Sequence, residues 1–169
     1  MAEQIKLHGL SELKNTLKDL PAVLGEKVLR AALRAGAKPI SDEARVLAPV
    51  LKEPDPRRKP GTIKKNIVTR KSKQQKYGVY VGVKALKAKQ ILAFRQKAGA
   101  KNGKGSNNPD DPFYWIFSEF GTAKMPAAPF LRPAFESKKY DALKRFEDHA
   151  KKRVVKEAEK LAREKGMPK

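Results

Sequence analysis

The chain contains no cysteine and only two histidines among its 169 residues. Without cysteine there is no disulfide framework, no thiolate metal site and no cysteine nucleophile. The histidines, His8 and His149, are far apart in sequence and do not form a pair with metal-ligand spacing. His149 lies in a charged segment and is interpreted as solvated, and Asp110 and Asp111, flanked by prolines, are interpreted as turn residues. We therefore expect no enzymatic activity, no bound metal and no cofactor.

Long apolar runs are also missing. No segment approaches the roughly 20 consecutive apolar residues that cross a bilayer, and the first residues lack the apolar core of a signal peptide. We therefore expect a protein that is made in the cytoplasm of a cell and that has no membrane partner.

Acidic residues are scarce relative to basic ones. The chain has 39 lysines and arginines against 18 aspartates and glutamates, a net charge of +21. Such a charge favours polyanions or acidic protein surfaces as partners.

The imbalance is strongest over residues 84–104, which contain no acidic residue and seven basic ones. These seven are Lys84, Lys87, Lys89, Arg95, Lys97, Lys101 and Lys104. They are candidates for contact with DNA or with an acidic partner, and the alternative is that they are solvated. No signature of sequence-specific DNA binding is present, so any DNA contact is expected to be with the backbone.

Apolar periodicity predicts the first half of the fold. Residues 3–9 alternate as in a short strand, and a helix is expected over residues 11–20. Apolar residues recur at helical spacing over residues 22–47, where Pro39 removes one backbone hydrogen bond and is expected to kink the helix. Gly36 on this Ala-rich helix permits close packing against another element.

The middle of the chain is predicted to contain a hairpin. A Pro- and Arg-rich connection over residues 49–61 precedes one helical turn at residues 62–67. Strands rich in valine, threonine and tyrosine are then expected over residues 68–73 and 77–84.

The rest of the chain is predicted to be an insertion, an aromatic segment and a helix. We expect a basic insertion at about residues 85–111, with a helix over residues 86–98 and a loop over residues 99–108. A long charged helix is expected over residues 137–165. Its apolar stripe comprises Leu143, Phe146, Ala150, Val154, Ala158 and Leu161. The fold class is therefore α+β, in one domain over residues 1–169: a small antiparallel sheet packed by a kinked N-terminal helix and a long C-terminal helix.

Residues 113–135 concentrate the aromatic side chains. They contain six of the eleven phenylalanines and tyrosines and the only tryptophan. Each buried aromatic side chain removes roughly 150–250 Å² from water, so this segment is expected to form either the centre of the core or the centre of an interface. Trp115, Phe117, Phe130 and Leu131 fit both alternatives.

Two motifs in this segment carry a resemblance to a known family. Residues 119–122 read Glu-Phe-Gly-Thr, and residues 125–134 read Met-Pro-Ala-Ala-Pro-Phe-Leu-Arg-Pro-Ala. Together with the preceding helices and hairpin, they make the chain similar to the tailed-phage gene-product-ten family of tail-component and head–tail joining proteins. The resemblance covers most of residues 7–160, and the insertion at about residues 85–111 is longer than is typical of the family.

The resemblance implies a structural virion protein of the phage neck, made in the host cytoplasm and located at the head–tail junction. It implies a homo-oligomeric ring, expected to be hexameric, that acts in tail completion or as a head–tail connector around the DNA channel. The implied partners are other copies of the chain, a connector, tail terminator or tail tube protein, and the genome DNA. The alternative is a DNA-binding protein without sequence specificity. The candidate interface residues are Trp115, Phe117, Phe120, Gly121, Thr122, Pro126, Pro129, Phe130, Leu131 and Pro133.

Overall fold

The computed structural model of the chain describes residue 15 and residues 22–53, 55, 58–97 and 108–164. Its elements are, in chain order, α1 (Ala22–Leu47), α2 (Thr62–Asn66), β1 (Ile67–Lys71), β2 (Val79–Val83), α3 (Ala88–Lys97), α4 (Trp115–Phe120) and α5 (Leu131–Glu164). The two strands pair as an antiparallel hairpin. The predicted α+β class, with a small sheet, an N-terminal helix and a long C-terminal helix, is confirmed. The strand predicted over residues 3–9 lies outside the described residues, as does the helix predicted over residues 11–20 apart from residue 15.

Helix α1 coincides with the helix predicted from the apolar periodicity, and Pro39 lies inside it. The ring nitrogen of Pro39 cannot donate to the carbonyl one turn before it, so one helical hydrogen bond is missing there. The expected kink at this position stays a prediction. The last turn of α1 is tied to the hairpin, because the Arg45 guanidinium donates to the Ile67 carbonyl at 2.9 Å.

The hairpin register is visible at both of its ends. The backbone N–H of Ser72 donates to the Gly78 carbonyl at 2.7 Å, and the N–H of Lys84 donates to the Asn66 carbonyl at 2.8 Å. Both strands are shorter than predicted by one to three residues, and α3 forms within the predicted helix of the insertion.

The described residues divide into two compact units. One, called here the motif unit, consists of described residues within Pro39–Arg70 and Val81–Lys139. The other, called here the tip unit, consists of described residues up to Lys38, of Lys71–Tyr80 with the hairpin tip, and of residues from Tyr140 onward. The expectation of a single domain stays a prediction.

The core of the motif unit combines helices, hairpin and aromatic segment. Its buried residues are Ala44, Ala48, Ile63, Ile67, Tyr114, Phe130 and Ala134. Half-buried Val81 and Val83 of β2 and Trp115 of α4 pack against them. Strand β2 and the aromatic segment therefore contribute to the same core.

The core of the tip unit is formed by α1 and α5. Val28 and Ala32 pack with Ala150 and Val154, and Phe146 lies beside them. A Cβ atom added to Gly36 would lie 2.8 Å from the Ala142 carbonyl oxygen, which confirms the predicted close packing at that glycine.

Two predictions about the polar and apolar faces of α5 are wrong. Ala158 is exposed, although the predicted stripe included it, and the neighbouring Glu157 is buried in its place. The Glu157 carboxylate lies 3.6 Å from the Lys27 ammonium and 3.9 Å from the Arg153 guanidinium, and these two cations offset its burial. His149 is half-buried rather than solvated, and its Nδ1 has no hydrogen-bond partner among the described residues.

Helix α5 begins earlier than predicted. It starts at Leu131 rather than at residue 137, so the Pro-rich segment ends inside a helix. Pro133 therefore lies in the first helical turn, where no intrahelical donor is needed and proline is tolerated.

Candidate functional site

The aromatic segment forms the short helix α4 and divides its side chains between core and solvent. Tyr114, just before α4, is buried, and the Phe113 ring meets it edge-on at 5.7 Å between centroids. On α4 itself, Trp115 is half-buried against the core, whereas Phe117 and Phe120 are 46% and 66% exposed. The segment therefore contributes both to the core and to the surface.

Glu119 of α4 caps the N-terminus of α5. Its Oε2 accepts hydrogen bonds from the backbone N–H groups of Phe130 at 2.8 Å and Leu131 at 3.0 Å. Its Oε1 accepts from the N–H of Arg132 at 3.2 Å. The next residue, Pro133, has no N–H, so every backbone donor of the first turn is bonded or absent. A buried carboxylate is also favoured at this end of a helix by the helix dipole.

The loop over residues 121–130 joins α4 to α5 and is fixed by backbone hydrogen bonds. Thr122 and Met125 bond to each other in both directions, at 2.8 and 3.2 Å, and the N–H of Ala128 donates to the Ser118 carbonyl at 2.7 Å. Gly121 begins the loop with φ 74° and ψ −179°, a region that is open essentially only to glycine. Gly121 therefore allows the chain to turn sharply after α4.

An apolar groove of about 280 Å³ lies beside α4 in the motif unit. Its lining includes Val50, Ile63, Phe117 and Met125. Val50, Phe117 and Met125 are also among the large apolar side chains that the surface exposes. The groove and the exposed face of α4 therefore form a continuous apolar surface.

A cation–π contact between Arg58 and Tyr114 forms part of the groove's lining. The Arg58 guanidinium lies 4.7 Å from the centroid of the Tyr114 ring, a favourable cation–π arrangement. Burial raises the pKa of the Tyr114 hydroxyl above its usual 10.0, and the Arg58 charge opposes that rise. Tyr114 therefore remains a neutral side chain at physiological pH.

Asp111 holds the two ends of the insertion together. Its buried carboxylate accepts backbone hydrogen bonds from Leu86, where the insertion begins, and from Phe113, just past its end. Burial raises the pKa of this carboxyl above its usual 3.8, and the two backbone donors oppose the rise. Asp111 was expected to be a turn residue, and the structure gives it this additional anchoring contact.

The C-terminal end of the insertion is tied to the segment before α2. The Lys59 ammonium lies 2.9 Å from the Asp110 carboxylate, and the Lys59 N–H donates to the Pro109 carbonyl at 3.2 Å. The Thr62 hydroxyl lies 3.1 Å from the same carbonyl. Asn108 forms a turn with Asp110, whose N–H donates to its side-chain oxygen at 3.0 Å. The interpretation of this stretch as a turn is confirmed.

The candidate basic residues are only partly described. Lys84 is half-buried, and Lys87, Lys89 and Lys97 are exposed. Arg95 lies in α3, and Lys101 and Lys104 lie outside the described residues, as does most of the loop predicted over residues 99–108.

The candidate interface residues fall into three groups. Phe130 is fully buried, and Trp115 and Leu131 are half-buried against the same core. These three side chains therefore pack in the core of the motif unit. Gly121 is half-buried. The exposed residues are Phe117, Phe120, Thr122, Pro126, Pro129 and Pro133. Their role in an interface stays a prediction.

Sequence reasoning missed the roles of Glu119, Asp111 and Arg58. A glutamate eleven to thirteen residues before a helix start is not a local capping signal, and a Pro-Asp-Asp-Pro sequence does not reveal which carboxylate becomes buried. Within the described ranges, no group of three or more histidine or acidic residues is placed to hold a metal ion. No helix of those ranges is long and apolar enough to span a membrane.

Comparison with known families gives a match over most of the chain. Residues 11–121 match the model of the HK97-gp10-like family, described as "Bacteriophage HK97-gp10, putative tail-component". The matched range includes Glu119 and Gly121 and ends before the Pro-Phe-Leu-Arg-Pro-Ala motif. Comparisons with curated proteins and with solved structures gave no match. Because the family model spans more than half of the chain, the protein belongs to the HK97-gp10-like family of bacteriophage tail components.

Proposed function

We propose that the protein is a structural component of the phage neck, where copies of it form a ring that completes the tail or joins it to the head around the DNA channel. The observation that carries this proposal is the continuous apolar surface of α4 and the neighbouring groove. Phe120 is 66% exposed. Contact of a large aromatic ring with water is energetically unfavourable. Exposed apolar patches of this kind are typical of protein contacts.

The backbone beneath this surface is held in one conformation. The Glu119 cap, the Thr122–Met125 bonds and the Ala128–Ser118 bond fix both ends of the loop that follows Phe120. A contact made by a fixed segment loses less conformational entropy on association than one made by a flexible segment. This rigidity supports an assembly role for the motif unit.

A closed ring requires heterologous contacts, in which two different surfaces of each copy meet. The apolar surface around α4 supplies one of these two surfaces, since Phe120 is exposed there beside the groove lined by Val50, Phe117 and Met125. We propose that the surface around α4 contacts the next copy in the ring, with six copies as the expected number.

The basic insertion has two candidate partners. The exposed Lys87, Lys89 and Lys97 can contact the phosphates of DNA in the channel or the acidic surfaces of adjoining neck and tail proteins. A solitary DNA-binding protein without sequence specificity is the alternative function, and it requires no ring.

The mass of the purified protein tests the ring proposal. Native mass spectrometry is expected to give a multiple of 18.9 kDa, six-fold for a hexamer, either free or once the protein is bound to purified tails. The Phe120→Ser variant is expected to lose the oligomer and to be absent from purified particles, while its circular dichroism spectrum remains that of the folded wild type.

A matched control removes an exposed apolar side chain elsewhere. Val155 on α5 is 56% exposed in the tip unit, so Val155→Ser is expected to assemble normally. A monomeric wild-type protein that is missing from particles would refute the ring proposal. Equal loss of assembly in both variants would refute the assignment of the contact to α4.

A further inference from the structure

A second surface, in the tip unit, has no part in the ring proposal. A cleft of about 530 Å³ lies between the first turns of α1 and the hairpin tip. It is called here the basic cleft. Its charged lining residues are Glu26, Lys27, Arg30, Arg34 and Lys71. Four cations and one anion therefore face the same space.

The charges of the basic cleft are only partly neutralised by the protein. Arg30 pairs with Glu26, and Lys27 lies 3.6 Å from Glu157. Among the described residues, Arg34 and Lys71 have no acidic partner within salt-bridge distance, and both are exposed. The buried Nε of Arg30 also has no hydrogen-bond partner there. Arg34 and Lys71 therefore offer donors and positive charge to an anion in the cleft.

A further cation lies beside the cleft. Lys76, at the hairpin tip, is close enough to interact electrostatically with Glu26 and Arg30. The hairpin thus brings Lys71 and Lys76, which are distant from α1 in sequence, to the cationic face of that helix.

Three cations lie in a row along one face of α1. Lys27, Arg30 and Arg34 are spaced three and four residues apart, so they lie on one face of the helix. Seven residues of helix rise about 10.5 Å. One strand of duplex DNA carries a phosphate about every 3.4 Å along the axis, so the row spans roughly three nucleotides. Arginine also presents a planar fork that matches phosphate oxygens.

From this arrangement we propose that the basic cleft binds the phosphodiester backbone of duplex DNA. An acidic protein surface has a similar charge, but protein contacts are usually centred on aromatic or large apolar side chains. The apolar lining of this cleft consists of Ala31 and Val79 with Gly78, which offers no such centre. A strongly positive surface is typical of DNA contacts. The proposal requires neither a ring nor the α4 surface.

Duplex DNA of mixed sequence, labelled with a fluorophore, tests the proposal on the full-length protein. The Arg34→Gln/Lys71→Gln variant is expected to bind the duplex about ten-fold or more weakly at low salt. Each lost phosphate contact also lowers the slope of log affinity against log salt by about 0.9, so this pair is expected to lower it by about 1.8. Both residues are exposed, and circular dichroism is expected to show an unchanged fold.

A control pair removes the same net charge outside the cleft. Lys152→Gln/Lys156→Gln changes two exposed residues of α5 that do not line the cleft. It is expected to weaken binding less than about three-fold, since no contact with the bound duplex is lost and charges outside a contact are screened by salt. Equal losses in the two pairs, or no loss in the cleft pair, would overturn the proposal.

Competition separates the cleft's ligand from other anions. Inorganic phosphate is expected to compete with the duplex only weakly, because it makes fewer contacts, and polyglutamate is expected to bind the cleft variant and the wild type equally. If the cleft variant instead loses polyglutamate binding and retains DNA binding, the site belongs to an acidic protein partner and the DNA assignment is wrong.

Discussion

The carboxylate of Glu119 accepts a hydrogen bond from the backbone N–H of Phe130 at 2.8 Å. This contact joins the Glu-Phe-Gly-Thr motif to the Pro-Phe-Leu-Arg-Pro-Ala motif. The same carboxylate also bonds to the N–H groups of Leu131 and Arg132. The two motifs therefore act together, because the contact between them caps the N-terminus of α5 and fixes the loop that joins them.

Replacing Glu119 is expected to destabilise the motif unit. Glu119→Gln keeps one acceptor oxygen but loses the charge and places two amide hydrogens among backbone donors. Hydrogen bonds to a charged group contribute about 1.5–3 kcal/mol each, so the variant is expected to lose roughly 2 kcal/mol of unfolding free energy. Chemical denaturation with urea measures this loss.

Glu159 provides the control for that substitution, because it is an exposed glutamate on α5. Glu159→Gln is expected to change the unfolding free energy by less than about 0.5 kcal/mol. Similar effects of the two substitutions would show that the Glu119 cap does not stabilise the fold.

Gly121→Ala is expected to destabilise the protein for two reasons. The backbone angles of Gly121 are essentially restricted to glycine, at a cost of about 1–3 kcal/mol for another residue. An added Cβ would also lie 2.9 Å from the Ala127 nitrogen. Gly61 is the matched control, because its φ is 73° but an added Cβ meets nothing within 4 Å. Thermal unfolding is expected to show a larger loss for Gly121→Ala than for Gly61→Ala, and the reverse order would contradict the structure.

Local sequence patterns were sufficient for the elements that depend on neighbours along the chain. Helix α1 formed where helical spacing predicted it, and the β1–β2 hairpin formed where residues of high strand propensity predicted it. The start of α5 was missed because its cap, Glu119, comes from another helix. Local rules search for a capping side chain at the helix end itself.

The sequence also did not reveal which residues are buried by contacts with distant parts of the chain. Glu157 is buried against Lys27 of α1, while the adjacent Ala158 faces solvent. Hydrophobicity alone would have placed them the other way round. The choice of Asp111 over Asp110 as the buried carboxylate depends on the Leu86 backbone, which is distant in sequence.

Phe130 and Phe120 are expected to respond differently to removal of the ring. Phe130 is 0% exposed at the centre of the core, so Phe130→Ala leaves a cavity and is expected to cost about 3–5 kcal/mol. Phe120→Ala removes an exposed ring and is expected to change the unfolding free energy by less than about 0.5 kcal/mol. Urea unfolding of the two variants, at protein concentrations at which each is monomeric, checks this contrast. At those concentrations a large loss in Phe120→Ala, relative to monomeric wild type, would mean that its ring packs inside the protein rather than at the surface.

The pH dependence of stability tests the anchoring carboxylate of the insertion. Because burial raises the pKa of Asp111 above 3.8, the folded state binds its proton more tightly than the unfolded state does. The resulting stabilisation is fully present below about pH 3.8 and is lost as the pH rises through the folded-state pKa. Asp111→Asn has no proton to lose. The unfolding free energy of the wild type minus that of the variant is therefore expected to fall between pH 3 and neutrality. This fall is expected to follow approximately the titration of Asp111, which carboxyl-carbon NMR measures. A flat difference would show that burial does not raise the pKa of Asp111, and a difference that increases with pH would show that the two backbone donors outweigh burial.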